Sequence, residues 1–114
     1  MQKVEACLIN TDADLPYSAS VYAEINDMAE LVVEYRYDDD HNARRNFIKR
    51  ATVDGDDTQT MATHYSTSVG ELPRLLAERC DIAYGGTRSD AERIFQEALQ
   101  VILDANVRYH LRDI

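Results

Sequence analysis

Two runs of carboxylates are the residues most able to do chemistry in this chain: Asp38-Asp39-Asp40, followed by His41, and Asp54-Gly55-Asp56-Asp57. Clustered carboxylates suit a hard cation such as calcium. The spacing argues against one. A helix-flanked calcium loop opening at Asp54 would need glycine at its sixth position and glutamate at its twelfth, where Gln59 and Tyr65 stand. Three adjacent aspartates cannot all face one ion without an irregular loop. Both runs therefore read as solvated turns, and neither a metal nor a cofactor is expected. Glu24 and Glu34 are a second candidate, because carboxylates facing each other across a hairpin can do acid–base work. The plainer reading is two like charges on an exposed sheet face.

His41, His64 and His110 lack the local spacing of a zinc site or a nucleophile relay. Cys7 and Cys80 lie far apart, form no CxxC pair and sit in apolar patterns, so they read as small buried hydrophobes with reduced thiols. Tyr84-Gly85-Gly86-Thr87-Arg88-Ser89 leads into a helix and offers free amides to an anion. It has neither the preceding strand nor the lysine of a phosphate loop, and a glycine-rich connection between helices explains it. Arg44-Arg45 with Lys49-Arg50 is the one basic cluster, placed to neutralise the acidic turns on either side. No catalytic motif is present.

The 114 residues carry 12 basic and 21 acidic side chains, for a formal charge of −9. That balance argues against direct nucleic-acid binding, which needs cations to displace counterions from phosphates, and against anionic membranes. The acidity is uneven: residues 1–60 hold 13 acids against 6 bases, and residues 61–114 hold 8 against 6. Met1 to Glu5 lacks the apolar stretch of a secretion signal, and no run of residues is apolar enough to span a membrane. A cytoplasmic protein of one domain is expected.

The elements that must position these residues follow from periodicity. Val4, Ala6 and Leu8 alternate with polar neighbours up to about Asn10, before the turn chemistry of Thr11 to Pro16. Val21, Ala23 and Ile25 form a second alternating run. Leu31, Val33, Tyr35 and Tyr37 form a third, joined to it through Asn26-Asp27-Met28-Ala29 as a hairpin. Phe47, Lys49, Ala51 and Val53 predict a fourth strand. Gly55 marks a tight turn, and Thr58 to Tyr65 is β-prone enough to predict a further antiparallel strand. The two acidic runs are then tips of one meander, and strand order, which no pattern in the sequence encodes, decides whether they meet at the same end of the sheet.

The period becomes helical after Ser66. Val69, Leu72, Leu75, Leu76 and Cys80 share one helix face, and Ser68 with Glu71 resembles a capping box, although Pro73 favours a start near Glu71. Ser89 with Glu92 repeats the capping pattern. Ala91, Ile94, Phe95, Ala98, Leu99, Ile102, Ala105 and Tyr109 then predict one helix to about Arg112, about 36 Å long. Arg93–Glu97 and Asp104–Arg108 are opposite-charge pairs at i,i+4 on its exposed side.

The expected fold is α+β: an antiparallel meander of four to five strands with two C-terminal helices packed on one face. The expected function is a non-enzymatic, acidic protein-binding module with a basic partner. Its sharpest form is an inhibitor that mimics nucleic-acid charge and blocks a DNA- or RNA-handling protein, as phage anti-defence proteins can. Asp38, Asp39, Asp40, Asp54, Asp56 and Asp57 would occupy arginine and lysine sites meant for phosphates. Tyr22, Glu24 and Glu34 would extend the contact over the open sheet face, since tyrosine joins apolar area to a hydroxyl at low entropic cost. The alternatives are a structural subunit that forms a homodimer, and a small enzyme built from distant residues such as His64, Cys80 and a carboxylate.

Overall fold

The computed structural model describes residues 4–10, 17–39, 47–79 and 88–113. Five strands, β1 (Val4–Asn10), β2 (Tyr17–Ile25), β3 (Leu31–Asp39), β4 (Phe47–Val53) and β5 (His110–Asp113), form one antiparallel sheet in chain order. Helices α1 (Gly55–His64), α2 (Leu72–Arg79) and α3 (Arg88–Asp104) lie between β4 and β5 in the chain. The α+β architecture read from the periodicity is the one observed.

Alternation decides which face is covered. Val21 and Ala23 of β2, Leu31, Val33, Tyr35 and Tyr37 of β3, and Ala51 and Val53 of β4 are all buried. Strand register places them on one face, with Val21 opposite Tyr35, Ala23 opposite Val33, and Leu31 opposite Val53. A slip of one residue would turn this whole set to water, so burial fixes the register. Leu72 and Leu76 of α2, and Ile94, Phe95, Ala98, Leu99 and Ile102 of α3, pack against that face. Tyr35 sits between two aromatic rings, 5.1 Å from Phe47 edge-on and 5.5 Å from Phe95. In β1, Leu8 is the extra residue of a bulge between Cys7 and Ile9, and it packs against the core.

Two elements depart from the expectation. Residues 58–65 do not form a strand; they belong mostly to α1. The Asp54 carboxylate accepts the backbone N–H of Asp57 at 2.8 Å and so caps the helix, while Asp56 and Asp57 place negative charge in its first turn. Its buried side chains, Thr58, Met61 and Ala62, recur at helical spacing. The β propensity of the threonines loses to the cap and to burial of that stripe. Thr58 is fully buried, and its hydroxyl donates to Val53 O at 2.9 Å while accepting from Leu31 N–H at 3.0 Å. One side chain thereby ties α1 to the end of the β3–β4 pair.

The long C-terminal helix stops at Asp104 rather than near Arg112. Asn106 adopts φ 62°, the left-handed conformation that ends helices, and its N–H donates to Leu103 O at 2.9 Å. Tyr109, the last residue of the apolar stripe, belongs instead to the connection that leads into β5. The meander therefore has its fifth strand at the C-terminus, paired with β4. Arg108 lies beyond the helix, and Asp104 accepts instead from Gln100 Nε2 at 2.8 Å.

The Ser68–Glu71 capping box is also not formed. Ser68 makes no side-chain capping bond; its carbonyl accepts the Glu71 N–H at 3.0 Å in a short 3-10 turn, Val69–Glu71. That turn hands over to α2, where Pro73 occupies the first turn that suits it. Among the described residues, no helix is long and apolar enough to cross a membrane.

Candidate functional site

The β2–β3 turn is built around Asn26. Its Oδ1 accepts the N–H groups of Met28 at 2.9 Å and Glu30 at 3.0 Å, and its Nδ2 donates to Glu30 Oε1 at 3.0 Å. Backbone bonds Asn26 N–H to Glu30 O and Ala29 N–H to Asn26 O close the loop, with Ala29 at φ 60°. Asparagine is favoured here because its amide satisfies local backbone groups that a turn leaves unpaired. The turn projects Asp27 and Met28 outward, and Met28 is 74% exposed.

The start of α1 stands beside this turn. A Cβ on Gly55 would lie 3.5 Å from the Met28 carbonyl oxygen. The Thr58 hydroxyl fixes the helix against Leu31, the first residue after the turn. Asp27, Glu30, Asp54, Asp56 and Asp57 thus lie at one end of the sheet, as does the exposed Met28. The cap on Asp54 and the Asn26 network hold this acidic end in shape.

The other acidic run lies elsewhere. Asp38 and Asp39 end β3, paired with Ser18 and Tyr17, while Asp40 and His41 lie outside the described residues. Seven residues separate Leu31 from Asp38, about 23 Å at 3.3 Å per strand residue. The two runs therefore occupy opposite ends of the β3–β4 pair and do not share a surface. Register answers the question that the sequence leaves open: the turn after β4 is on the side of β3's start, whereas Asp38 marks its finish.

The open sheet face differs from its expected form as well. Glu24 is in register with Val32 and Glu34 with Tyr22, so the two glutamates sit diagonally and form no facing pair. Glu34 is instead matched by two cations, Arg36 at 3.0 Å and Arg50 at 3.1 Å. Tyr22 is half-buried beside it. The expected basic cluster is divided by strand alternation. Lys49 stands 5.6 Å over the Phe47 ring, Arg50 turns to Glu34, and Arg44 and Arg45 lie outside the described residues.

His64 is exposed at the end of α1, edge-on to Tyr65 at 4.7 Å, and His110 is exposed on β5. Cys80 and the Gly85-Gly86 connection lie outside the described residues, as does the Thr11 to Pro16 turn. Among the described residues no group of three His, Cys, Asp or Glu side chains is placed to hold a metal ion. Burial raises the Tyr65 pKa; the Arg79 guanidinium, 4.6 Å over its ring, lowers it, and Asp104 raises it. Its hydroxyl donates to Val101 O at 2.5 Å, a structural tie between α1 and α3.

Sequence reasoning missed Asp27, Met28 and Glu30 as surface residues. The available signal was Asn26 two and four residues before backbone donors, in a turn with an apolar residue that no alternation accounts for. Arg112 and His110 were missed because they were read as helical. The chain matches no known protein family, no curated protein and no solved structure.

Proposed function

We propose that this chain is a non-enzymatic binding module of the cytoplasm that presents its acidic end to a basic protein partner. The observation that carries the reading is that Asp27, Glu30, Asp54, Asp56 and Asp57 share one end of the sheet with exposed Met28. Carboxylates held by a capped helix and a bonded turn are pre-organised, so little conformational entropy is lost when they meet arginine or lysine. Met28 supplies a soft, exposed apolar anchor at the same end. The net charge of −9 attracts a basic partner from a distance, raises the encounter rate and makes it salt-dependent.

In its sharpest form the module is an inhibitor. Carboxylates occupy sites that a DNA- or RNA-handling protein uses for phosphates, and nucleic acid is excluded by competition. Capture from nuclease-treated lysate onto the immobilised chain, at low and raised salt, tests this. A basic nucleic-acid-handling protein should be retained by the native chain, released by salt, and lost from the D27N/D56N/D57N variant. Equal capture by that variant sinks the reading.

A second reading, self-assembly, has one specific observation in its favour. Strand β5 is an edge of four exposed residues, with Leu111 52% exposed. An uncovered edge is a template for pairing with a second copy. Sedimentation across a concentration series separates the two, because a closed dimer persists without a partner.

A further inference from the structure

On the open sheet face, a depression of about 390 Å³ is lined by Glu30, Arg50, Thr52, His110 and Arg112. Register explains how it forms. Arg50 of β4 stands directly opposite Arg112 of β5, and Thr52 directly opposite His110. Like charges directly opposite each other across two strands destabilise the pairing. Arg50 is held by Glu34, through both Nε and Nη2 at 3.1 Å. The Arg112 side chain has no ion-pair or hydrogen-bond partner among the described residues, and neither has the His110 imidazole. A chain of net charge −9 thus places two guanidinium groups, an imidazole and a hydroxyl around one hollow.

We propose that this hollow binds the phosphoryl group of a small phosphorylated molecule. Planar guanidinium groups recognise phosphate through paired, charge-assisted hydrogen bonds, and two of them on adjacent strands can grip one phosphoryl group from two sides. The Glu34 contact orients the Arg50 fork beforehand. Thr52 and His110 offer further donors between the arginines and Glu30. Glu30, at the other end, accepts from a hydroxyl on the rest of the ligand and disfavours a second anionic group. The hollow shares Glu30 with the acidic end proposed above, but its arginines lie outside that end, and the proposal does not depend on the protein-binding role.

The test is an amide chemical-shift titration of the whole chain with inorganic phosphate and with glycerol phosphate. Saturable shifts centred on Arg50, Thr52, His110 and Arg112 are expected, with glycerol phosphate binding at least as tightly as inorganic phosphate. R112Q, on an exposed edge strand, should keep the folded spectrum and weaken binding about tenfold, the loss of one charge-assisted contact. R74Q, an exposed substitution on α2, should leave binding unchanged. Shifts that scatter over the surface or fail to saturate overturn the proposal, as does undiminished affinity in R112Q. Binding of inorganic phosphate without glycerol phosphate overturns the ligand class.

Discussion

Thr58 is the side chain on which the shape of the acidic end depends, and T58V tests that directly. The substitution keeps the volume and branching, and valine and threonine have similar helix propensities. It removes only the hydroxyl, which donates to Val53 O at 2.9 Å and accepts from Leu31 N–H at 3.0 Å, in a residue with no solvent exposure. The Leu31 N–H would be left buried without its acceptor, at a cost of about 1–3 kcal/mol, and the bond to Val53 O would be lost at about 1 kcal/mol. The expected total is about 3 kcal/mol. With a urea dependence of about 2 kcal/mol per molar, the unfolding midpoint should fall by about 1.5 M. T58S, which keeps both bonds and loses one methyl group, should cost only about 1 kcal/mol. Urea denaturation of the three proteins, followed by circular dichroism, reads the result. A T58V midpoint within experimental error of the native one would refute the idea that this hydroxyl joins α1 to the sheet.

Three other outcomes follow from the same geometry. D54A should destabilise the fold by about 1 kcal/mol through loss of the helix cap, and D54N, which still caps, by much less; thermal melts distinguish them. N106G should be neutral or better because of the φ of 62° at that position, whereas N106V should cost about 1–2 kcal/mol, again read by melting. For Tyr65, burial raises the folded pKa above the ordinary value of about 10. Its stabilising contribution is therefore complete below pH 10 or so and is lost as pH rises through the raised value. Y65F should flatten that alkaline fall in stability, and an unchanged pH profile would show that Tyr65 ionisation is not coupled to folding.

The sheet was legible because burial of one face leaves a period of two. Leu31, Val33, Tyr35 and Tyr37 could be assigned to the core from alternation alone, and they are buried. Pairs set by register were not legible: Glu24 and Glu34 lie two residues off a facing position, which no single-strand pattern reveals. Two local signals were outweighed by stronger-looking ones. The three threonines from Thr58 to Thr63 suggest a strand, yet Asp54 three residues before the Asp57 amide starts a helix. The apolar stripe to Tyr109 suggests a longer helix, yet Asn106 takes the left-handed turn that ends it. The candidate site inherits both errors. Moving Thr58 to Tyr65 into a helix turns Asp54, Asp56 and Asp57 from a hairpin tip into a helix start beside Asp27, and ending α3 early brings Arg112 next to Arg50.

The acidic-end account rests on which end of the sheet meets the partner, and affinity for the captured partner measures this. Titration calorimetry would compare the native chain with D27N/D56N/D57N at one end and D38N/D39N at the other, at two salt concentrations. The account predicts an affinity that falls with salt, a loss of about tenfold or more in the first variant, and little change in the second. A loss carried by D38N/D39N, or native affinity in the first variant, would contradict it.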